Sequence, residues 1–199
     1  MSIAYATLDE LKDYLGIQSN DDDALLQGLL LDVSRQIDHY CDRWFYGSVH
    51  TRYYDYSPAH IDGNKLYLDA DIVGVDYVVN GNGGTIPANA YVVDPANTTP
   101  KHTIRLKRSS GTYWTYENDV EQAIVVAGTF GYVAGTTPPE PIKRATLRLA
   151  QQKYAQRDAP FEVRGLSTDQ FVDVPSATLA DVQQLLAPYR KVNFYTYRW

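Results

Sequence analysis

This 199-residue chain has one cysteine, one methionine and four histidines. With Cys41 alone, no internal disulfide can form, and a reducing compartment suits it. No run approaches the roughly 18 consecutive apolar residues that a bilayer-spanning helix needs. The opening MSIAYATLDELKDYL is polar and helix-patterned, without the charged start and apolar middle of a signal peptide. Basic residues are outnumbered, 18 Lys and Arg against 24 Asp and Glu, for a net charge of -6. That balance argues against a protein that coats duplex DNA, though not against one past which DNA slides.

Catalytic signatures are missing too. There is no deaminase, HExxH, P-loop or GxSxG pattern. His39, His50, His60 and His102 include no pair at zinc-ligand spacing, and His39 and Cys41, two apart on a helix, point about 200° apart. Gly81, Gly83 and Gly84 follow a strand pattern with no helix after them, which argues against a dinucleotide site. The residues therefore predict no enzyme, no metal and no cofactor.

What the chain does have is 44% hydrophobic and 21% charged residues, a globular balance for one domain or a small domain with an insertion. It also has 17 Tyr against 5 Phe. Tyrosine pairs a flat apolar ring with a polar tip and is enriched at interfaces, yet it also suits half-buried strands. Both readings stay open.

Helical signals open the chain. Thr7-Leu8-Asp9-Glu10 is a capping box, predicting a helix from Thr7 to Leu15 with Leu8, Leu11 and Leu15 on its buried stripe and Gly16 as its left-handed stop. The acidic stretch Asn20-Asp21-Asp22-Asp23 then admits two readings. A calcium loop needs acids at alternate positions, a glycine at the sixth and a glutamate at the twelfth, and this stretch runs straight into Ala24-Leu25-Leu26. As a cap, one of residues 20–22 starts a helix, and the following acids meet the positive end of its dipole. Leu26, Leu30, Val33, Ile37, Tyr40 and Trp44 recur at helical spacing behind it. About 22 residues at 1.5 Å each predict a helix of roughly 33 Å.

From Phe45 to Thr137 the texture changes to short Val-, Ile-, Tyr- and Thr-rich segments at 49–56, 65–69, 72–79, 90–94, 103–108 and 122–133. Asn80 to Gly84 reads as a hairpin or loop tip. Pro138, Pro139 and Pro141 then lead a basic helix with stripes at Ile142, Ala145 and Leu149 and at Leu147, Ala150 and Tyr154. Residues 159–177 read as loop or short strands. A last helix is expected from Leu179 to Tyr189, capped by Thr178, before an aromatic end, VNFYTYRW, with no acidic residue.

The predicted fold class is α+β. An antiparallel bundle of about four helices (1–45 and 138–191) carries an inserted β-rich, sandwich- or barrel-like subdomain (46–137) and an extended C-terminal arm (192–199). Asp55, Asp69, Asp71 and Asp76 could in principle pair as glycosidase carboxylates, but loop and turn duty is the simpler reading. The run KHTIRLKR at 101–108 suits phosphate or an acidic neighbour, or an edge strand guarded by charge. The basic helix charges Lys143, Arg144, Arg148 and Arg157 suit acids of a partner subunit or of the first helices.

In order along the chain, the motifs resemble a known family. TLDELKDYLGIQSNDDDALLQGLLLDVSRQIDHYCDRWF is similar to the N-terminal half of tailed-phage head-tail connectors, or head-completion adaptors, with their short helix, acidic cap and long helix ending near an aromatic. PPEPIKRATLRLAQQKYAQRD resembles their later proline-led helix, and LLAPYR their closing helix. The β insert departs from short members and resembles the longer branch found in phages and phage-derived gene-transfer particles. The resemblance implies a structural virion protein of the neck, assembled in the host cytoplasm. It would form a dodecameric ring beneath the portal protein, extend the DNA channel and present a platform to a tail terminator or stopper. DNA would pass through without sequence-specific binding, and no membrane is involved. Tyr189, Phe194, Tyr195, Tyr197, Arg198 and Trp199 are the expected anchors on the portal or a neighbouring subunit. Two other readings compete: a carbohydrate- or surface-binding module using the Tyr-rich insert, and a hydrolase with two distant carboxylates.

Overall fold

The structure, a computed structural model, describes residues 3–157 and 176–191. Its contacts gather into two compact units: a helical one from Met1–Asp42 with Pro138–Lys191, and a sheet one around Arg43–Thr137. The fold is α+β, with four α-helices and a seven-stranded antiparallel sheet among the described residues.

In the helical unit α1 spans Leu8–Leu15. Thr7 accepts from the Glu10 backbone N–H while Glu10 accepts from that of Thr7, so both halves of the capping box form. At the other end Gly16 is left-handed, and the N–H groups of Gly16 and Ile17 close onto the carbonyls of Asp13 and Lys12. Helix α2 spans Asp23–Cys41. Leu26, Leu30, Val33 and Ile37 are buried as the periodicity predicts. The stripe stops short of its predicted end, however. Asp42 takes a left-handed conformation, tolerated by a short polar side chain, and ends the helix after 19 residues. Tyr40 stays 36% exposed, and Trp44 falls outside the helix.

Helix α3 spans Glu140–Arg157 and packs on α1, α2 and α4, burying Ile142, Ala145, Thr146 and Ala150. Its first turn closes onto the Pro139 carbonyl, which accepts from Ile142 and Lys143. Helix α4 spans Ser176–Leu186, so Thr178 lies inside it and does not cap it, and a single 3-10 turn at Ala187–Tyr189 follows. Of the predicted loop at 159–177, residues 159–175 lie outside the described residues, as does the arm 192–199.

The sheet unit is built on one strand. β3 spans Lys65–Val79, joining two segments that the sequence separates. β1 is Ser48–Tyr54, β2 Ile61–Asp62, β4 Thr85–Ile86, β5 Tyr91–Asp94, β6 Lys101–Leu106 and β7 Ile124–Phe130. One edge of β3 pairs first with β2 and then with β7; the other pairs first with β6 and then with β4. The main path of the sheet is β1-β7-β3-β6-β5, with β2 and β4 paired to β3 off it. Register shifts between Tyr67 and Tyr77 bend β3 where it changes partners. Both halves therefore feed one apolar cluster, from Leu66, Leu68 and Ile104 on one side to Val78, Val126 and Phe130 on the other.

The bend brings backbones close. A Cβ on Gly128 of β7 would lie 2.1 Å from the Gly74 carbonyl oxygen of β3. No rotamer relieves a clash with backbone. Gly128→Ala is expected to cost about 1–3 kcal/mol, as overpacking does. The measurement is a thermal melt, and an unchanged Tm would mean that the central pair is looser than described.

Candidate functional surfaces

The acidic stretch at 20–23 does more than start a helix. Asp22 occupies the cap position of α2, but its side chain makes no capping bond. It accepts instead from the Tyr154 hydroxyl at 2.5 Å and the Arg157 guanidinium at 2.9 Å, both from the last turns of α3. Those two bonds, Tyr154 first, hold its carboxyl below the usual range. Asn20 and Asp23 both accept from Lys12 of α1, at 2.6 and 2.8 Å. At the other end of α3, Lys143 donates to Glu10 at 2.7 Å, lowering the Glu10 carboxyl and raising the Lys143 ammonium. Cap residues Glu10, Asn20, Asp22 and Asp23 and the stripe residue Tyr154 thus join a cross-brace among three helices.

A second polar group is buried in this unit. Asp38 of α2 is 7% exposed, accepts from the Tyr5 hydroxyl and lies 3.1 Å from Arg35. Burial outweighs both partners and pushes its carboxyl up to about 6. Nearby Ser34 accepts from the Tyr5 N–H and donates to the Leu30 carbonyl, so α2 holds the chain just before α1.

On the sheet unit the outward face of β1, β7 and β3 is read from the register. Tyr53, Val125 and Val79 form one row; Thr51, Ala127 and Tyr77 form the next; Val49, Thr129 and Gly74 form the third. No paired member of these rows is charged; Asp76 stands exposed in the bulge of β3 between the Tyr77 and Gly74 rows. Val49 is 73%, Tyr53 59% and Tyr77 44% exposed. Among the described residues β1 pairs with β7 alone, so its other edge is open. Alternation along 49–53 is visible in the sequence, but which side faces outward depends on pairing across strands about 75 residues apart.

The basic run at 101–108 splits in two. Lys101 donates to the carbonyls of Val93, Pro95 and Ala96, and Arg105 forks onto Asp94 at 2.7 and 3.3 Å. The Arg105 bond lowers the Asp94 carboxyl. Lys107 and Arg108 lie beyond β6; they and the acids Glu117, Asp119 and Glu121 of the loop before β7 make no ion pair in the described structure.

The predicted inter-subunit cations each meet an acid of this chain: Lys143 with Glu10, Arg157 with Asp22, Arg148 with Asp181 at 3.6 Å, and Arg144 with Glu140 at 3.8 Å. Of the carboxylates considered for catalysis, Asp69 holds Arg52 and Tyr54, Asp71 holds Arg43, and Asp55 accepts from the Gln122 N–H. Among the described residues no group of His, Cys, Asp or Glu is arranged to hold a metal, and no helix is long and apolar enough to cross a membrane. Tyr189 lies in the 3-10 turn after α4, while Phe194, Tyr195, Tyr197, Arg198 and Trp199 lie outside the described residues.

Asp38 generates a pH prediction. Its folded-state value of about 6 is above the ordinary carboxylate value of 3.8, so the folded chain holds a proton that the unfolded chain has lost. Stability therefore falls as pH rises from 4 to 6 and levels off above. Asp38→Asn removes this slope while keeping an acceptor for Tyr5. Melts across pH 3.5–7.5 should show the variant gaining on the native chain by up to about 1.4 kcal/mol per pH unit inside that window. Parallel curves would rule the assignment out.

Residues 5–84 match the family described as phage gp6-like head-tail connector protein. The matched stretch runs from Tyr5 through α1, α2, β1, β2 and β3 to Gly84, so it enters both units. No curated protein matches the chain. Among solved structures, a chain from the neck of a native gene transfer agent (GTA) particle, computed with C12 symmetry, is 16% identical with a TM-score of 0.60; the match covers 95% of this chain and 90% of that one. A chain from the neck of an empty GTA particle, computed with C6 symmetry, is 17% identical with a TM-score of 0.57, covering 95% and 91%. A chain from the virion of a native GTA particle is 17% identical with a TM-score of 0.59, again covering 95% and 91%. At these identities the likeness is one of fold. The resemblance to head-tail connector proteins read from the sequence is thus met twice, by the family's pattern over residues 5–84 and by a fold shared along nearly the whole chain.

Proposed function

We propose that this protein is a structural head-tail connector in the neck of a phage-type particle. The observation that carries the reading is the family match at residues 5–84, because it runs through the helical unit and into the sheet unit. Two amphipathic helices alone would be weak support; a match that continues through β1 to β3 is more specific. The shared fold with neck chains of symmetric particles supports the same reading. In it, copies form a ring, a dodecamer by analogy with the C12 neck, docked under the portal protein. The ring lengthens the DNA channel and offers a platform to a terminator or stopper of the tail. A net charge of -6 suits a passage in which DNA must slide and not stick.

The arm 192–199 is the proposed anchor, with Tyr189 at its root. Its aromatic, acid-free composition suits a groove or sheet edge on the portal or on a neighbouring subunit. The four cations of α3 belong to this proposal only in a secondary role, since each has an acidic neighbour within the chain.

The test is negative-stain imaging and mass analysis of the purified protein mixed with its cognate portal or with DNA-filled heads. A ring added beneath the portal is the expected result, and it gives the symmetry directly. Failure to associate with competent portals would overturn the connector reading. Removing residues 192–199 is expected to abolish portal docking while leaving the melting temperature of the remaining chain unchanged.

A further inference from the structure

We propose that the uncharged outer face of β1, β7 and β3 seats a second copy of this chain, whose turn at Lys107 to Tyr113 docks against it; the inference rests on the ring reading above. The first support is the character of the face. In a chain with 21% charged residues, three strands present three successive rows whose paired residues carry no charge, with Asp76 standing apart in the bulge of β3. Val49, Tyr53 and Tyr77 are its exposed apolar and aromatic members. A face without cations has no means of holding phosphate, so DNA is excluded as its occupant. Tyrosine is enriched where proteins meet, because it adds contact area at low entropy cost and keeps a hydroxyl for water or a partner. Strand β1 adds to the case. It carries neither lysine nor proline to guard its open edge, and its one arginine, Arg52, is turned onto Asp69, Trp44 and Phe130.

The second support identifies the occupant. The face is bordered at its Tyr53 row by the loop before β7, where the Tyr56 N–H donates to the Val120 carbonyl. That loop exposes Glu117, Asp119 and Glu121, which make no ion pair among the described residues. The turn after β6 offers the complement: Lys107 and Arg108, equally unpaired, followed by Tyr113 at 75% exposure. One chain thus carries both halves of a charge complement that it does not use internally. Head-to-tail contact between copies uses both halves at once, and a contact of that kind closes into a ring when its rotation allows. A basic, tyrosine-tipped turn on an acid-rimmed, uncharged face is complementary in charge and in surface type.

The test places a photo-crosslinking benzoyl-phenylalanine at position 53 and is run on purified protein and on assembled particles. The expected product is a dimer of this chain whose crosslinked peptide contains residues 107–113. Charge reversal provides the second arm. Glu121→Lys and Arg108→Glu, both at exposed positions, are each expected to lower dimer yield about tenfold with unchanged Tm. Both changes in one chain are expected to restore the yield. Crosslinking to the portal, a tail protein or any other partner overturns the inference, as does absence of crosslinking, or reversal variants that assemble normally. If the particles' necks lack the chain altogether, the connector reading fails and this inference fails with it. If the chain is in the neck and position 53 crosslinks elsewhere, only this inference fails.

Discussion

Helix α3 must find α1 and α2 across a long excursion of chain, and the acids of the first two helices are what hold it in register. Glu10 takes Lys143 near the start of α3, and Asp22 takes Tyr154 and Arg157 near its end. Closing so large a loop costs little more than closing a moderate one, since the entropy grows only with the logarithm of length. Burial of Ile142, Ala145 and Ala150, on a helix that packs on α1 and α2, provides the main driving force. Apolar burial has no direction, however. Two fixed acids at opposite ends of the helix settle which way it runs and which face it presents.

The sheet unit meets a similar problem with one long strand. β3 is paired on both edges, with β2 and β7 along one and β6 and β4 along the other. Bending it lets a single sheet supply both sides of its own core. The bend relies on Gly128, where a Cβ would lie 2.1 Å from the Gly74 carbonyl oxygen; at Gly74 itself a Cβ would meet nothing within 4 Å. The same pairing leaves β1 at an open edge and aligns its outward residues with those of β7 and β3. The uncharged face is therefore a product of the same topology that closes the core.

Arg35, Arg43, Arg52 and Arg105 are all spent on acids of their own unit. Among the charges that make no ion pair in the described structure, Lys107 and Arg108 on one side and Glu117, Asp119 and Glu121 on the other lie in loops of the sheet unit. Loops carry recognition because a scaffold can hold them without depending on them.

Much of the helical frame was legible in the sequence. Thr7, Glu10 and Gly16 encode the ends of α1 by local hydrogen bonding, and Leu26 to Ile37 encode the buried face of α2 by period alone. Such signals are complete within a few residues. The β-rich character of the insert was legible too, from Val, Ile and Tyr runs punctuated by turns. What the local pattern did not hold was the end of α2 at Asp42, whose left-handed conformation stops the periodicity that runs on to Trp44. Nor did it hold the continuity of β3 through residues 70 and 71, or the partners of Asp22. The outer face of the sheet was hidden for the same reason. Each row joins residues from β1, β7 and β3, and alternation within one strand says that two faces exist without saying which one the core will cover. The chain by itself determined helices, strands and caps, because those rest on neighbours in sequence; the brace among helices and the uncharged face were decided only by the tertiary structure, because both are made of residues that long-range pairing alone brings together.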